Sequence, residues 1–274
     1  MNTKSDFIER YSLPTFLILT PLLSLAIPLF LELPTELVPL IMIFIPALMA
    51  ILLTSLSKGR KGVVALLQKL FQWRIPFKWF AISLGLAFGL RLAMSLLAFL
   101  FGWITTFQFN PWSPQQFIII GVFTMIGAIM EELGWRGYAL PKLLSQRTAL
   151  TSALLIGIPW GILHIGLILP GQMNAGTSGL ETILYLIALS VVLTWLFVQT
   201  RGNLVVVILY HAGENFFVFL NGGISITQSL RLLNLVTIAL AIVLILFYGV
   251  NLQRNLVKKT GMVDAVQTVE QTNR

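Results

Sequence analysis

The stretch FIIIGVFTMIGAIMEELGWR, residues 117–136, decides the fold. Its first fourteen residues carry no charge, and two adjacent acids and an arginine then follow. A membrane β-strand alternates apolar and polar residues. This run does not alternate, and it approaches the roughly 20 apolar residues a helix needs to cross a hydrocarbon core. Working outward, comparable runs occur at about 12–31, 37–56, 79–103, 150–169, 181–199, 204–221 and 230–250. With 117–135 they make eight spans, so the expected fold is an all-α, polytopic membrane protein. One transmembrane domain is expected over 1–250, its motif-bearing core at about 117–221, followed by a polar cytoplasmic tail over 251–274.

Composition excludes the other classes. Of the 274 residues, 57% are hydrophobic and only 10% charged, against roughly 25% charged in a soluble domain. The mean hydropathy of +0.89 agrees. A soluble enzyme, a disordered chain, a collagen and a disulfide scaffold are all excluded. There are no cysteines, so neither a thiolate nucleophile nor a thiolate metal site exists. Ser24-Leu25-Ala26 imitates a signal-peptide cleavage site, but the apolar run continues to Leu31, as an uncleaved span would.

The net charge of +8 reads as loop asymmetry rather than as a nucleic-acid footprint. With both termini in the cytoplasm, 16 of the 18 Lys and Arg fall on the inner side. Arg91 lies within the third span and Arg231 falls outside. The opposite segments 32–36, 104–116 and 170–179 contain no Lys or Arg. Within the basic segment 57–78, Val63, Leu66, Leu67 and Leu70 recur at helical spacing beside Lys61 and Lys69, as in an amphipathic surface helix.

Ionisable groups inside a bilayer are costly, so each asks for a function. They concentrate in EELGWR (131–136), WGILH (160–164) and HAGEN (211–215), and the two histidines of the chain are both among them. At 100° per residue, Glu132 and Arg136 lie one turn apart and can pair, while Glu131 points elsewhere. Trp160 and His164 share a face, as do His211 and Asn215. A carboxylate, two imidazoles and an amide can therefore converge from three helices. Arg91 reads as the partner of a buried acid, either Glu181 or Glu214, and Gly134, Gly137 and Gly161 as points of close helix approach. One mismatch stands out. His211 lies about 10 Å along its span and His164 about 21 Å along its own. A common site requires the fifth span to begin below the bilayer or to bend, and Pro159 offers a bend.

These three segments resemble the motifs of the CPBP family, the CAAX proteases and bacteriocin-processing enzymes also called Abi proteins. The family pattern is Glu-Glu-x-x-x-Arg, aromatic-x-x-x-His, then His-x-x-x-Asn or Asp, with Phe common where this chain has Trp160. The resemblance covers about 120–221 and implies an intramembrane endopeptidase. Carried over, Glu131 is the general base, His164 holds the same water, and His211 and Asn215 bind the oxyanion. Glu132, Arg136 and Trp160 support them. No cofactor is required in that glutamate mechanism. Zn²⁺ is the other possibility, with Glu131, His164 and His211 as its ligands. The implied partners are a hydrophobic or lipidated peptide or protein substrate and the bilayer, with no nucleic acid. The expected setting is a bacterial plasma membrane, with the cavity open to the cytoplasm. A non-catalytic immunity or scaffold protein and a proton-coupled transporter are the rival readings.

Overall fold

The computed structural model describes residues 3–253. The polar tail expected over 251–274 therefore lies, from 254 onward, outside the described residues. Nine α-helices are described: α1 (Thr3–Phe30), α2 (Leu37–Gln68), α3 (Lys78–Leu100), α4 (Pro114–Glu132), α5 (Leu140–Leu144), α6 (Ala149–Ile165), α7 (Gly179–Gln199), α8 (Leu204–Phe216) and α9 (Ile226–Tyr248). Among the described residues there is no strand, only an isolated bridge between Gln108 and Gly222. Eight helical segments are long and apolar enough to cross a membrane, as expected. Large apolar side chains such as Leu22, Leu48, Ile118, Leu246 and Phe247 are exposed on the outer surface. Such a surface would aggregate in water and is satisfied by lipid. The chain is an integral membrane protein.

Helix α7 is the central one. Its most apolar 18-residue window is 72% buried, against 28% for the first and third spans. Lipid tails are as apolar as leucine, so close packing rather than hydrophobicity holds such helices together. Glycines on α6 supply the approach to α7. A Cβ added at Gly157 would lie 2.7 Å from the Cα of Ile187, and one at Gly161 would lie 2.9 Å from the Cα of Ile183. Ser190 Oγ adds a 2.8 Å hydrogen bond to the carbonyl of Ala153.

Two local features set up the site. The first is Gly59, whose φ of +60° is free only for glycine and breaks α2 into an apolar span and a surface segment. In that segment Leu66 is buried and Val63, Leu67 and Leu70 are half-buried, while Lys61 is exposed. This is the amphipathic helix read from 57–78. The second is a π-helix over Leu133–Ala139, joining α4 to α5. Its first glycine lies against α2, where a Cβ on Gly134 would come within 2.6 Å of the Pro46 backbone. Lys69 Nζ donates a 2.6 Å bond to the carbonyl of Gly137 and holds the surface segment of α2 beneath the π-turn.

Polar contacts sort the helix ends onto two faces. On one face Glu9 pairs with Lys58 and Lys142 at 3.3 and 3.1 Å. There too Asn203 bonds the carbonyl of Gln72, and the Leu150 amide that of Val250. Both described ends of the chain lie on this face. On the other, the Asn110 amide donates to Phe219, the Gly222 amide to Gln108, and Arg231 pairs with Glu181 at 3.3 Å.

Candidate active site

The π-helix carries most of the first motif. All its residues are buried, and so are the two acids before it. A π-turn inserts extra backbone into a helix and often marks a functional site. Here it follows directly on Glu131 and Glu132, which, as adjacent residues of α4, point about 100° apart. Glu131 and His211 are each 4% exposed, Glu132 and Arg136 fully buried.

Glu132 is the hub. Its Oε1 accepts a 3.0 Å bond from Arg136 Nη1 and a 2.8 Å bond from His211 Nδ1. The pairing with Arg136 agrees with the helical spacing. The bond to His211 joins α8 to α4, which the spacing along one helix does not contain. Because a carboxylate only accepts, His211 Nδ1 carries the proton. The other ring nitrogen, Nε2, then faces Glu131 Oε2 at 3.5 Å. That gap is longer than a good hydrogen bond and leaves the pair able to share a small polar group.

Trp160 sits between the histidines. Its ring centroid is 5.4 Å from that of His211 and 5.9 Å from that of His164, both edge-on. The Arg136 guanidinium lies 4.4 Å from the same ring, in cation–π range. So Trp160 packs, as expected, but packs against three ionisable groups. α6 stays helical through Pro159 and meets His211 through the Trp160 ring, one turn before His164. His164 Nδ1 lies 3.0 Å from the Trp160 carbonyl. A carbonyl only accepts, so His164 Nδ1 also carries the proton and Nε2 keeps a lone pair.

Glu131, Trp160, His164, His211 and Asn215 all line one cavity of about 510 Å³. Asn215 is exposed, one turn beyond His211 on α8. Arg91 and Glu214 line it too, and they form the second buried ion pair. Arg91 Nη2 is 2.7 Å from Glu214 Oε1, and Nε donates a 2.9 Å bond to the Glu214 carbonyl. Of the two acids read as partners for Arg91, Glu214 is the one it meets. Asn221 Nδ2 reaches the Arg91 carbonyl at 3.2 Å and Ser95 Oγ at 2.7 Å, and Ser95 Oγ reaches the Leu220 carbonyl at 3.1 Å. One side of α3 thereby grips the end of α8, where Asn215 sits.

Zinc would need its donors at about 2.0–2.2 Å from one point. Glu131 and His211 are near enough to serve as two ligands. Among the described residues, however, no three His, Cys, Asp or Glu side chains gather as a metal site, His164 included. As placed, the three candidate ligands do not fit the ion.

The cavity deepens toward the face that carries the termini. Its floor is Glu131, His211, Trp160 and Leu189, all buried. Its exposed wall includes Met173, 59% exposed, and Ile226, 46% exposed, with Trp112 and Asn174 nearby. Those residues belong to the opposite face. The expected pairing of a cytoplasmic cavity with cytoplasmic chain ends therefore does not hold, since the mouth and the described ends of the chain lie at opposite ends of the bundle.

Comparison with known proteins agrees with the motifs. The family described as type II CAAX prenyl endopeptidase Rce1-like matches residues 111–217. A protein of Methanococcus maripaludis named CAAX prenyl protease 2 is 27% identical over 223 residues, covering 74% of this chain and 81% of that protein. The matched segment contains EELGWR, WGILH and HAGEN and supplies the floor of the cavity. The resemblance carried by those motifs is thus shown by both comparisons, and the chain is similar to the CAAX prenyl endopeptidases of the Rce1-like type.

Proposed function

We propose that this chain is an intramembrane endopeptidase in which Glu131 activates the attacking water. The family match supports peptidase activity. The observation that carries the finer reading is the Glu132–His211–Glu131 array, with His164 and Asn215 on the same cavity. Amide hydrolysis needs a proton acceptor beside water and donors aimed at a tetrahedral oxyanion. Glu131 accepts a proton from the water, whose other hydrogen is held by the lone pair on His164 Nε2. The water oxygen bonds to the substrate carbonyl carbon, and the carbonyl oxygen takes the negative charge. Asn215 Nδ2 donates to that oxygen, as does His211 Nε2 when its imidazole is protonated. Glu132 stabilises this imidazolium through Nδ1 and fixes the ring. The C–N bond then breaks, and Glu131 passes its proton to the leaving amine.

The apolar walls suit a hydrophobic or lipidated peptide. The relative is named for prenylated proteins, and only the hydrophobic character of such a substrate is carried over to this chain. Detergent-purified protein should cleave such a peptide, and Glu131→Gln should slow cleavage about 10²–10⁴-fold without unfolding. A well-folded wild-type protein that binds but never cleaves hydrophobic peptides would make the cavity a binding site alone.

A further inference from the structure

The mouth of the cavity and the distribution of charge point to opposite faces. On the face of the described chain ends, residues 57–78 alone hold six Lys and Arg, and the turns at 145–148 and 200–203 add Arg147 and Arg201. The segments at the mouth face, 32–36, 101–113, 169–178 and 222–225, hold none. Arg231, a turn into α9, is paired with Glu181, and Arg91, within the cavity, is paired with Glu214. Lys and Arg in short loops are retained in the cytoplasm, and the bias here is strong and one-sided.

Building on the peptidase reading above, we propose that the cavity takes its substrate from the extracytoplasmic face, as a hydrophobic segment of a protein held in or delivered to the outer leaflet. The rim agrees with that chemistry. Trp112 lines the cavity and packs against Phe117, Phe216 and Phe219 at ring separations of 5.3, 6.2 and 5.9 Å. Aromatic side chains gather at the membrane–water interface, where their amphipathic rings sit at headgroup level. An aromatic rim with Arg231 already paired offers apolar contact and no free cation to an acidic partner. The path then runs down past Asn215 to Glu131 and His211, and the floor closes before the cytoplasmic face is reached. A protein lipidated in the cytoplasm would meet the closed end.

The chain has no cysteine, so single substitutions report cleanly. Ala175, on the mouth face, and Ala65, on the surface segment of α2, are exposed and away from the cavity floor. In intact cells an impermeant maleimide should label Ala175→Cys, and should label Ala65→Cys only after lysis. Sealed right-side-out vesicles should cleave a hydrophobic peptide bearing a charged, impermeant tag. Inside-out vesicles should be latent until permeabilised. Outside labelling of Ala65→Cys with Ala175→Cys protected, or the reverse latency, overturns the inference and leaves the peptidase reading standing. The expected labelling with no cleavage by solubilised protein upholds the side of the mouth and removes only the peptidase.

Discussion

Glu132 Oε1 and His211 Nδ1, 79 positions apart in sequence, are joined by a 2.8 Å hydrogen bond in a fully buried setting. This bond orients the imidazole so that its other nitrogen faces Glu131. Glu132 therefore does two things at once, since the same oxygen also neutralises Arg136.

Glu132→Gln should consequently show a double phenotype. The amide oxygen can still accept both bonds but carries no charge, so Arg136 is left buried without a counter-charge. Breaking a buried pair from one side costs about 3–5 kcal/mol. Melting in detergent should fall sharply. Cleavage by the folded fraction should also fall, because the His211 imidazolium loses its counter-charge. A variant that melts lower but cleaves at the wild-type rate would reduce Glu132 to a structural role.

Asn215→Ala should behave differently. Asn215 is exposed in the cavity, so its loss leaves nothing buried and unsatisfied. The melting temperature should stay unchanged while kcat falls about 10²–10³-fold, as for a removed oxyanion donor. A rise in KM with kcat preserved would instead make Asn215 a binding group for the substrate.

Arg91 and Glu214 make a separate prediction about stability. Arg91→Met strands a carboxylate beside α3 and should cost about 3–5 kcal/mol. The double variant Arg91→Met/Glu214→Gln should be more stable than Arg91→Met, because the lone charge is gone. Equal melting temperatures for the single and double variants would mean the pair is not coupled.

Helix approach gives a prediction with an internal control. Gly157→Ala places a Cβ against the backbone of α7 and should destabilise by about 1–3 kcal/mol through overpacking. Gly85→Ala, on α3, meets nothing within 4 Å and gains helix propensity, so its melting temperature should hold or rise slightly. Thermal melting of the two variants side by side decides it.

Much of this molecule is legible in one dimension. The eight spans are properties of local apolar length and lie where the sequence puts them, except that the second segment runs on to Phe71 through the surface helix and the fourth to Leu144 through the π-turn. The chemistry-bearing residues stand out because a Glu or His in an apolar helix is rare and costly. Three things are not legible. The π-helix is hidden because the 100° rule assumes an α-helix throughout, although the close-packed Gly134 is a trace of it. The second partner of Glu132 depends on how α8 lies against α4, which no periodicity contains. The choice of Glu214 over Glu181 for Arg91, and the face on which the cavity opens, likewise depend on how separate helices come together.

The central claim is that Glu131 accepts the proton of the attacking water, and turnover of a hydrophobic peptide by purified Glu131→Gln tests it most directly. Glutamine keeps the size and polarity of the side chain and removes the base. The account predicts a protein with wild-type melting and cleavage reduced about 10²–10⁴-fold. Cleavage at the wild-type rate by well-folded Glu131→Gln would contradict it.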